Sequence, residues 1–166
     1  IAYCFHSVSG YSSIGSYTGN ANTTGPSVTT GFRPAFVLFK KEDAGAHWFI
    51  LDSTRDNFNT IQTSLTIDNA EDEDYASTTA KIDFNDNGFQ IRNSNNDVNA
   101  NGVKYRYIAF AGGMDSISDY NDTGSIDARV KANPTYGQSI VSYTGTGSAA
   151  TVGHGLSSAP EMMIVK

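Results

Sequence analysis

Lys81-Ile82-Asp83-Phe84-Asn85-Asp86-Asn87-Gly88-Phe89-Gln90-Ile91-Arg92 is the stretch that decides the fold class. Apolar and polar residues alternate on both sides of a short Asn/Asp run that ends in glycine. That period of two predicts a pair of strands, with Ile82, Phe84, Phe89 and Ile91 facing a core. Lys81, Asp83, Gln90 and Arg92 then face outward. Asn87-Gly88 signals the hairpin between them, because both residue types tolerate positive φ.

Working outward, the same texture continues. Pro34-Ala35-Phe36-Val37-Leu38-Phe39 is apolar on both faces, as expected of a core strand in a two-layer fold. His47-Trp48-Phe49-Ile50-Leu51 is similar. Asn101-Gly102 repeats the turn device before Tyr105-Arg106-Tyr107-Ile108-Ala109-Phe110. No segment carries a convincing amphipathic helical pattern; Asp68 to Asp74 is acidic, lacks an apolar face and reads as an exposed loop. Short strands punctuated by turn residues predict an all-β chain, an antiparallel β-sandwich of jelly-roll type, with a closed barrel as the alternative.

The chain also repeats itself. Ser13-Ile14-Gly15-Ser16-Tyr17-Thr18-Gly19 returns as Ser139-Ile140-Val141-Ser142-Tyr143-Thr144-Gly145. Pro34 to Lys40 returns as Pro160-Glu161-Met162-Met163-Ile164-Val165-Lys166, at the same spacing. Ile1-Ala2-Tyr3 echoes Ile108-Ala109-Phe110. These echoes predict tandem modules: residues 1–10 end a preceding module, 11–111 form one near-complete module, and 112–166 form a linker and the start of the next. Ser125 to Val130 is expected to add a first strand to that next module, where the first has only the short His6 to Ser12. Both ends fall inside expected strands, so the native termini are expected outside this window.

Composition narrows the function. The net charge is -6 and the pI about 4.8, which argues against nucleic acid and against an anionic membrane surface. The single cysteine, Cys4, has no internal disulfide partner; in the apolar run Ile1 to Phe5 it is expected to be buried. No apolar stretch approaches transmembrane length.

Gly15-Ser16-Tyr17-Thr18-Gly19-Asn20, then Gly31-Phe32-Arg33-Pro34 with a strand ending in Lys40, resembles repeat modules of marine and cyanobacterial phage tail-fibre and other virion structural proteins. Trp48, Asp52, Arg55, Asp83-Phe84, Asn87-Gly88-Phe89, Asn99-Ala100-Asn101-Gly102 and Tyr107 to Phe110 extend the resemblance over nearly the whole chain. It implies a β-sandwich in a virion appendage with host-surface contact. It brings no binding residues with it.

Motifs with chemistry are sparse. Gly145-Thr146-Gly147-Ser148-Ala149-Ala150 fits the dinucleotide fingerprint, but the sequence after it is poor helix and no cofactor is predicted. Asp83/Asn85/Asn87/Gly88 and Asp97/Asn99/Asn101/Gly102 match the first half of a calcium loop. Ser94 and Ile108 stand where the closing Glu belongs, so both read as hairpin turns. The remaining opening for a metal is a surface calcium site near Asp72, Asp74 or Asp97. His6, His47 and His154 lack metal-ligand spacing. No G-x-S-x-G elbow occurs, and carboxylate pairs such as Asp52 with Asp56 are ordinary on an acidic surface, so the chain is read as a non-enzyme.

Glycan contact is the binding chemistry left open, because sugar C–H faces pack on aromatic rings. Trp48, Tyr11, Tyr75, Tyr105, Tyr107, Tyr120 and Tyr136 are the aromatic candidates. Tyr75 and Tyr120 lie in polar loops and are the expected exposed ones, with Asn95 and Asp97 supplying hydrogen bonds. The expected role is a structural module of a phage fibre or extracellular filament, with copies of itself and a host-surface glycan as partners. The alternative is a dedicated glycan-binding adhesion module.

Overall fold

The computed structural model describes residues 4–42, 45–70, 79–112 and 119–166. In chain order the strands are β1 (Ser12–Thr18), β2 (Ser27–Thr29), β3 (Pro34–Lys41), β4 (Trp48–Asp52), β5 (Ser64–Thr66), β6 (Ile82–Asn85) and β7 (Gly88–Ile91). A one-turn helix α1 (Asn96–Asn99) follows, then β8 (Lys104–Ala111), β9 (Asp119–Asn121), β10 (Ala128–Asn133) and β11 (Gln138–Tyr143). All strand pairings are antiparallel. One sheet runs β1-β8-β3-β4-β5, a second β2-β7-β6, and a third β11-β10-β9. The chain is all-β, as its alternation predicts.

The first two sheets share one core. Ile82, Phe84, Phe89 and Ile91 are buried from the small sheet; Val37, Phe39, Leu51, Tyr105 and Ala109 meet them from the large one. Each large side chain removed from water there contributes roughly 1.5–3 kcal/mol. Asp83 and Arg92 stay on the outer face and pair at 3.2 Å. The β6–β7 hairpin closes with Asn85 opposite Gly88. Positive φ falls on Gly88 (+154°) while Asn87 keeps a negative value, so the glycine alone meets the strained geometry. A Cβ there would lie 1.9 Å from the Val28 carbonyl oxygen of the neighbouring strand.

Among the described residues, helix is confined to the one turn of α1, in keeping with the lack of an amphipathic helical pattern. Asn95 caps it, its side-chain oxygen accepting from the Asp97 N–H at 2.8 Å, which satisfies an otherwise unpaired donor of the first turn. Asn101-Gly102 is correspondingly not a strand-to-strand hairpin: it leads from α1 into β8, with Gly102 N–H donating to the Gly19 carbonyl.

Asn99 is fully buried beneath this turn. Its Oδ1 accepts from Asn20 N–H at 2.8 Å, and its Nδ2 has three acceptors in reach: Asn20 Oδ1, Asn22 O and Asn93 O. The loop after β1 must pass very close to α1 to make these bonds. A Cβ on Gly19 would sit 2.2 Å from the Ala100 carbonyl oxygen, so that position requires glycine. Two stacked tyrosines, Tyr17 and Tyr105, hold the helix from below. Tyr17 donates to the Val98 carbonyl and Tyr105 to the Asn96 carbonyl, each at 2.8 Å.

The third sheet lies against the outer face of the large one. Tyr136 stacks on Tyr11 with centroids 4.2 Å apart, Lys131 Nζ reaches Ser53 Oγ, and Lys166 Nζ donates to the Asn69 carbonyl. Phe36, Ile50 and Phe110 on that outer face line a cleft with β11. The two-faced apolar pattern of β3 therefore has two causes: Val37 and Phe39 serve the core, and Phe36 serves this second contact. Cys4 is exposed, against the expectation of burial, and residues 4–7 form no strand. Ile1 to Tyr3 lie outside the described residues.

Asn99→Ala strands its buried partners and should cost about 3 kcal/mol in urea unfolding, whereas exposed Asn101→Ala stays within about 0.5 kcal/mol. A loss under 1 kcal/mol at Asn99 would refute the polar lock. Burial, with Tyr105 adding to it, holds the Tyr17 pKa well above 10.0. The unfolded phenol ionises near its ordinary value, so this contribution is intact below about pH 10 and is lost as pH rises toward the folded value. The stability lead of the wild type over Tyr17→Phe, about 1 kcal/mol at pH 8, should shrink by pH 11; an unchanged lead would show that Tyr17 is not held neutral by the fold.

Candidate functional site

The third sheet carries an open polar and aromatic face. Register places Tyr120 opposite Arg129, and Arg129 opposite Ser142, so one line crosses β9, β10 and β11. Asp127 precedes β10 and Tyr143 ends β11. Together these five residues line an open cleft of about 290 Å³. Tyr120 is 66% and Tyr143 48% exposed.

Tyr120 Oη donates to Asp127 Oδ2. That bond to a carboxylate raises the phenol's pKa above its usual value; slight desolvation and the charges of Asp127 and Asp122 push the same way. The phenol therefore stays protonated and its ring is held in a fixed direction. The Tyr120 ring, an acceptor carboxylate and a guanidinium beside one shallow cleft suit a polyol, which offers C–H faces to the ring and hydroxyls to the polar groups.

Of the residues singled out from sequence, Tyr120 is exposed and on this cleft. Asn95 and Asp97 sit together at α1, where Asn95 is engaged as the helix cap. They do not line the Tyr120 cleft. Tyr75, Asp72 and Asp74 lie outside the described residues. Tyr105 and Tyr107 are core, and Tyr11 is half-buried under Tyr136. Trp48 is partly exposed, with Lys40 Nζ 5.4 Å from its ring centroid. Sequence reasoning missed Asp127, Arg129 and Tyr143. Tyr143 hides behind its repeat counterpart Tyr17, which is buried.

The other constellations are engaged in loop structure. Asp52 accepts from Thr54 N–H, Arg55 N–H and Arg55 Nε, in a largely buried ion pair. Asp56 accepts from Gln62 N–H, Thr63 N–H and Thr63 Oγ1. His47 lies 3.1 Å from Asp68. Burial would raise the Asp68 pKa, but hydrogen bonds from the Trp48 N–H and from His47 outweigh it and lower the value. His154 Nδ1 accepts from Leu156 N–H. Among the described residues, no three His, Cys, Asp or Glu side chains converge as a metal site would require. Gly145 to Ala150 is a loop with no helix behind it, so the fingerprint lacks its phosphate-binding element. A larger cleft, about 970 Å³, separates the outer face of the large sheet from β11 and the segment 162–166.

Fold and cleft together define an antiparallel all-β protein with a sheet face open to solvent. The family model described as a domain of unknown function (DUF7483) matches residues 1–113 and 115–166, and the chain belongs to that family. No curated protein and no solved structure matches it.

Asp127→Asn removes the charged acceptor, so the Tyr120 pKa should fall toward the ordinary value near 10. An absorbance or NMR titration reads this directly; an unchanged Tyr120 value would refute the pairing.

Proposed function

We propose that this chain is a structural module of a phage fibre or extracellular filament, built from repeated β-sandwich units of jelly-roll type. The observation that supports it best is the seat of the third sheet. Its strand β11 begins at the repeat counterpart of the start of β1, and its neighbourhood packs on the outer face of the preceding unit through Tyr11 and Tyr136. A unit that offers an apolar outer face to the next one is suited to stacking in line, and repetition gives reach and multivalency. The jelly-roll assignment rests on interleaved strand order: β8 inserts between β1 and β3 in one sheet, and β7 lies beside β2 in the other. The phage setting rests on the sequence resemblance.

A second reading, glycan-binding adhesion, is favoured by the Tyr120–Asp127–Tyr143 cleft. Both readings fit a host-facing surface, and they differ in what the units do when isolated.

Antibody raised to the chain should decorate a thin appendage or filament in electron micrographs of the native particle or cell. Label spread over a shell or confined to soluble material would reject the structural role. On a glycan array the chain should bind weakly or not at all; strong binding that falls about tenfold or more in Tyr120→Ala would favour the adhesion reading instead.

A further inference from the structure

One exposed line of side chains crosses four strands of the large sheet. Register sets Trp48 opposite Lys40, Lys40 opposite Arg106, and Arg106 opposite Ser16. The residues flanking this line, Phe49, Phe39, Tyr105, Tyr107 and Tyr17, turn to the core, so the line itself stands on the outer face. Lys104, two residues before Arg106 and opposite Thr18, is exposed on the same face. The third sheet meets this face at Phe36 and Phe110, toward the other ends of β3 and β8. Four strands at their usual spacing make the line about 14 Å long.

The chain carries 11 Lys and Arg against 17 Asp and Glu, so three cations side by side run against its average charge. Each is held or presented in a particular way. Lys40 Nζ donates to the Ala46 carbonyl at 2.6 Å, which keeps the ammonium 5.4 Å from the Trp48 ring centroid. Trp48 is still 37% exposed. Arg106 pairs with Glu42, but its side chain is 64% exposed, and an exposed ion pair exchanges partners at little cost. At the far end Asp68 is occupied by His47 and by the Trp48 N–H.

We propose that this line binds an acidic polysaccharide of uronate type. A sugar ring packs its C–H face on the exposed part of Trp48. Carboxylates of neighbouring sugars pair with Lys40, Arg106 and Lys104, and the planar fork of Arg106 matches a carboxylate in two parallel hydrogen bonds. A flat, extended line suits a polymer better than a single sugar. Nucleic acid is the poorer occupant: duplex carries one charge per about 1.7 Å, and a chain of net charge -6 opposes so dense a polyanion. The Tyr120 cleft differs in kind, since its single cation, Arg129, shares the cleft with Asp127. The proposal names a ligand for this outer face and does not rest on the filament reading; if units repeat along a filament, the weak sites add as avidity.

Trp48 is the chain's only tryptophan, so its fluorescence reports this line alone. Titrating polygalacturonate into the intact chain should change Trp48 emission, and neutral dextran should not. The surface double variant K104Q/R106Q should weaken binding about tenfold or more, while R129Q and Tyr120→Ala bind as the wild type does. Raising salt from about 50 to about 300 mM should weaken binding further. Circular dichroism checks that the double variant is folded; if it is not, R106Q alone and the salt series carry the test. Unchanged Trp48 emission overturns the proposal, even where the polymer co-sediments with the chain. So does wild-type affinity in K104Q/R106Q, or a loss in R129Q instead. Equal affinity for single-stranded DNA or for phosphatidylserine vesicles also overturns it, by showing general attraction of anions. Antibody decoration of an appendage is read separately, so failure here leaves the structural reading standing.

Discussion

The buried amide of Asn99 is the constraint around which the two-sheet core closes. A primary amide out of contact with water must find partners or lose a desolvation cost of about 1–3 kcal/mol per group. Here the partners come from two connections that cross between the sheets: Asn20 and Asn22 after β1, and Asn93 before α1. Both crossings must be in place for either to be satisfied. The lock therefore ties the order of strands in one sheet to the order in the other. Its geometry explains why Gly19 abuts Ala100 and why α1 exists as a single capped turn.

Hydrophobic packing alone would not specify this end of the sandwich. Tyr17 and Tyr105 fill volume there as phenylalanines would, but each also spends its hydroxyl on an α1 carbonyl. Such buried polar contacts are directional, so they discriminate between near-equal packings of the same apolar set. At the other end the large sheet is different in kind. Its outer face bears Phe36, Ile50 and Phe110, and it is met by a further sheet instead of water.

Much of this was legible in the residues. Alternation at Ile82, Phe84, Phe89 and Ile91 yields the hairpin and its core face because a period of two admits one inward set. The two-faced run at Phe36 to Phe39 announces a strand with a partner on each side. The helix was not legible: Asn-rich chain from Asn93 to Asn99 suits turns and helix caps alike, and the choice depends on Tyr17 and Tyr105, which are distant in sequence. The cleft residues were half legible. Tyr120 stood out in a polar loop, but Asp127, Arg129 and Tyr143 become neighbours by the pairing of β9, β10 and β11, which composition does not encode. Asn95 looked like a surface ligand because capping and binding draw on the same side-chain oxygen.

The repeat makes the same lesson quantitative. Tyr17 and Tyr143 occupy equivalent places in the same heptapeptide-like string, yet one is 6% exposed and the other 48%. Tyr17 has Phe89 of the small sheet edge-on to it and Tyr105 stacked against it. Tyr143 ends β11 and lies across from Ala128 of β10. An identical side chain in the same local string is thus core in one place and half-exposed in the other, and the difference lies in what packs around it.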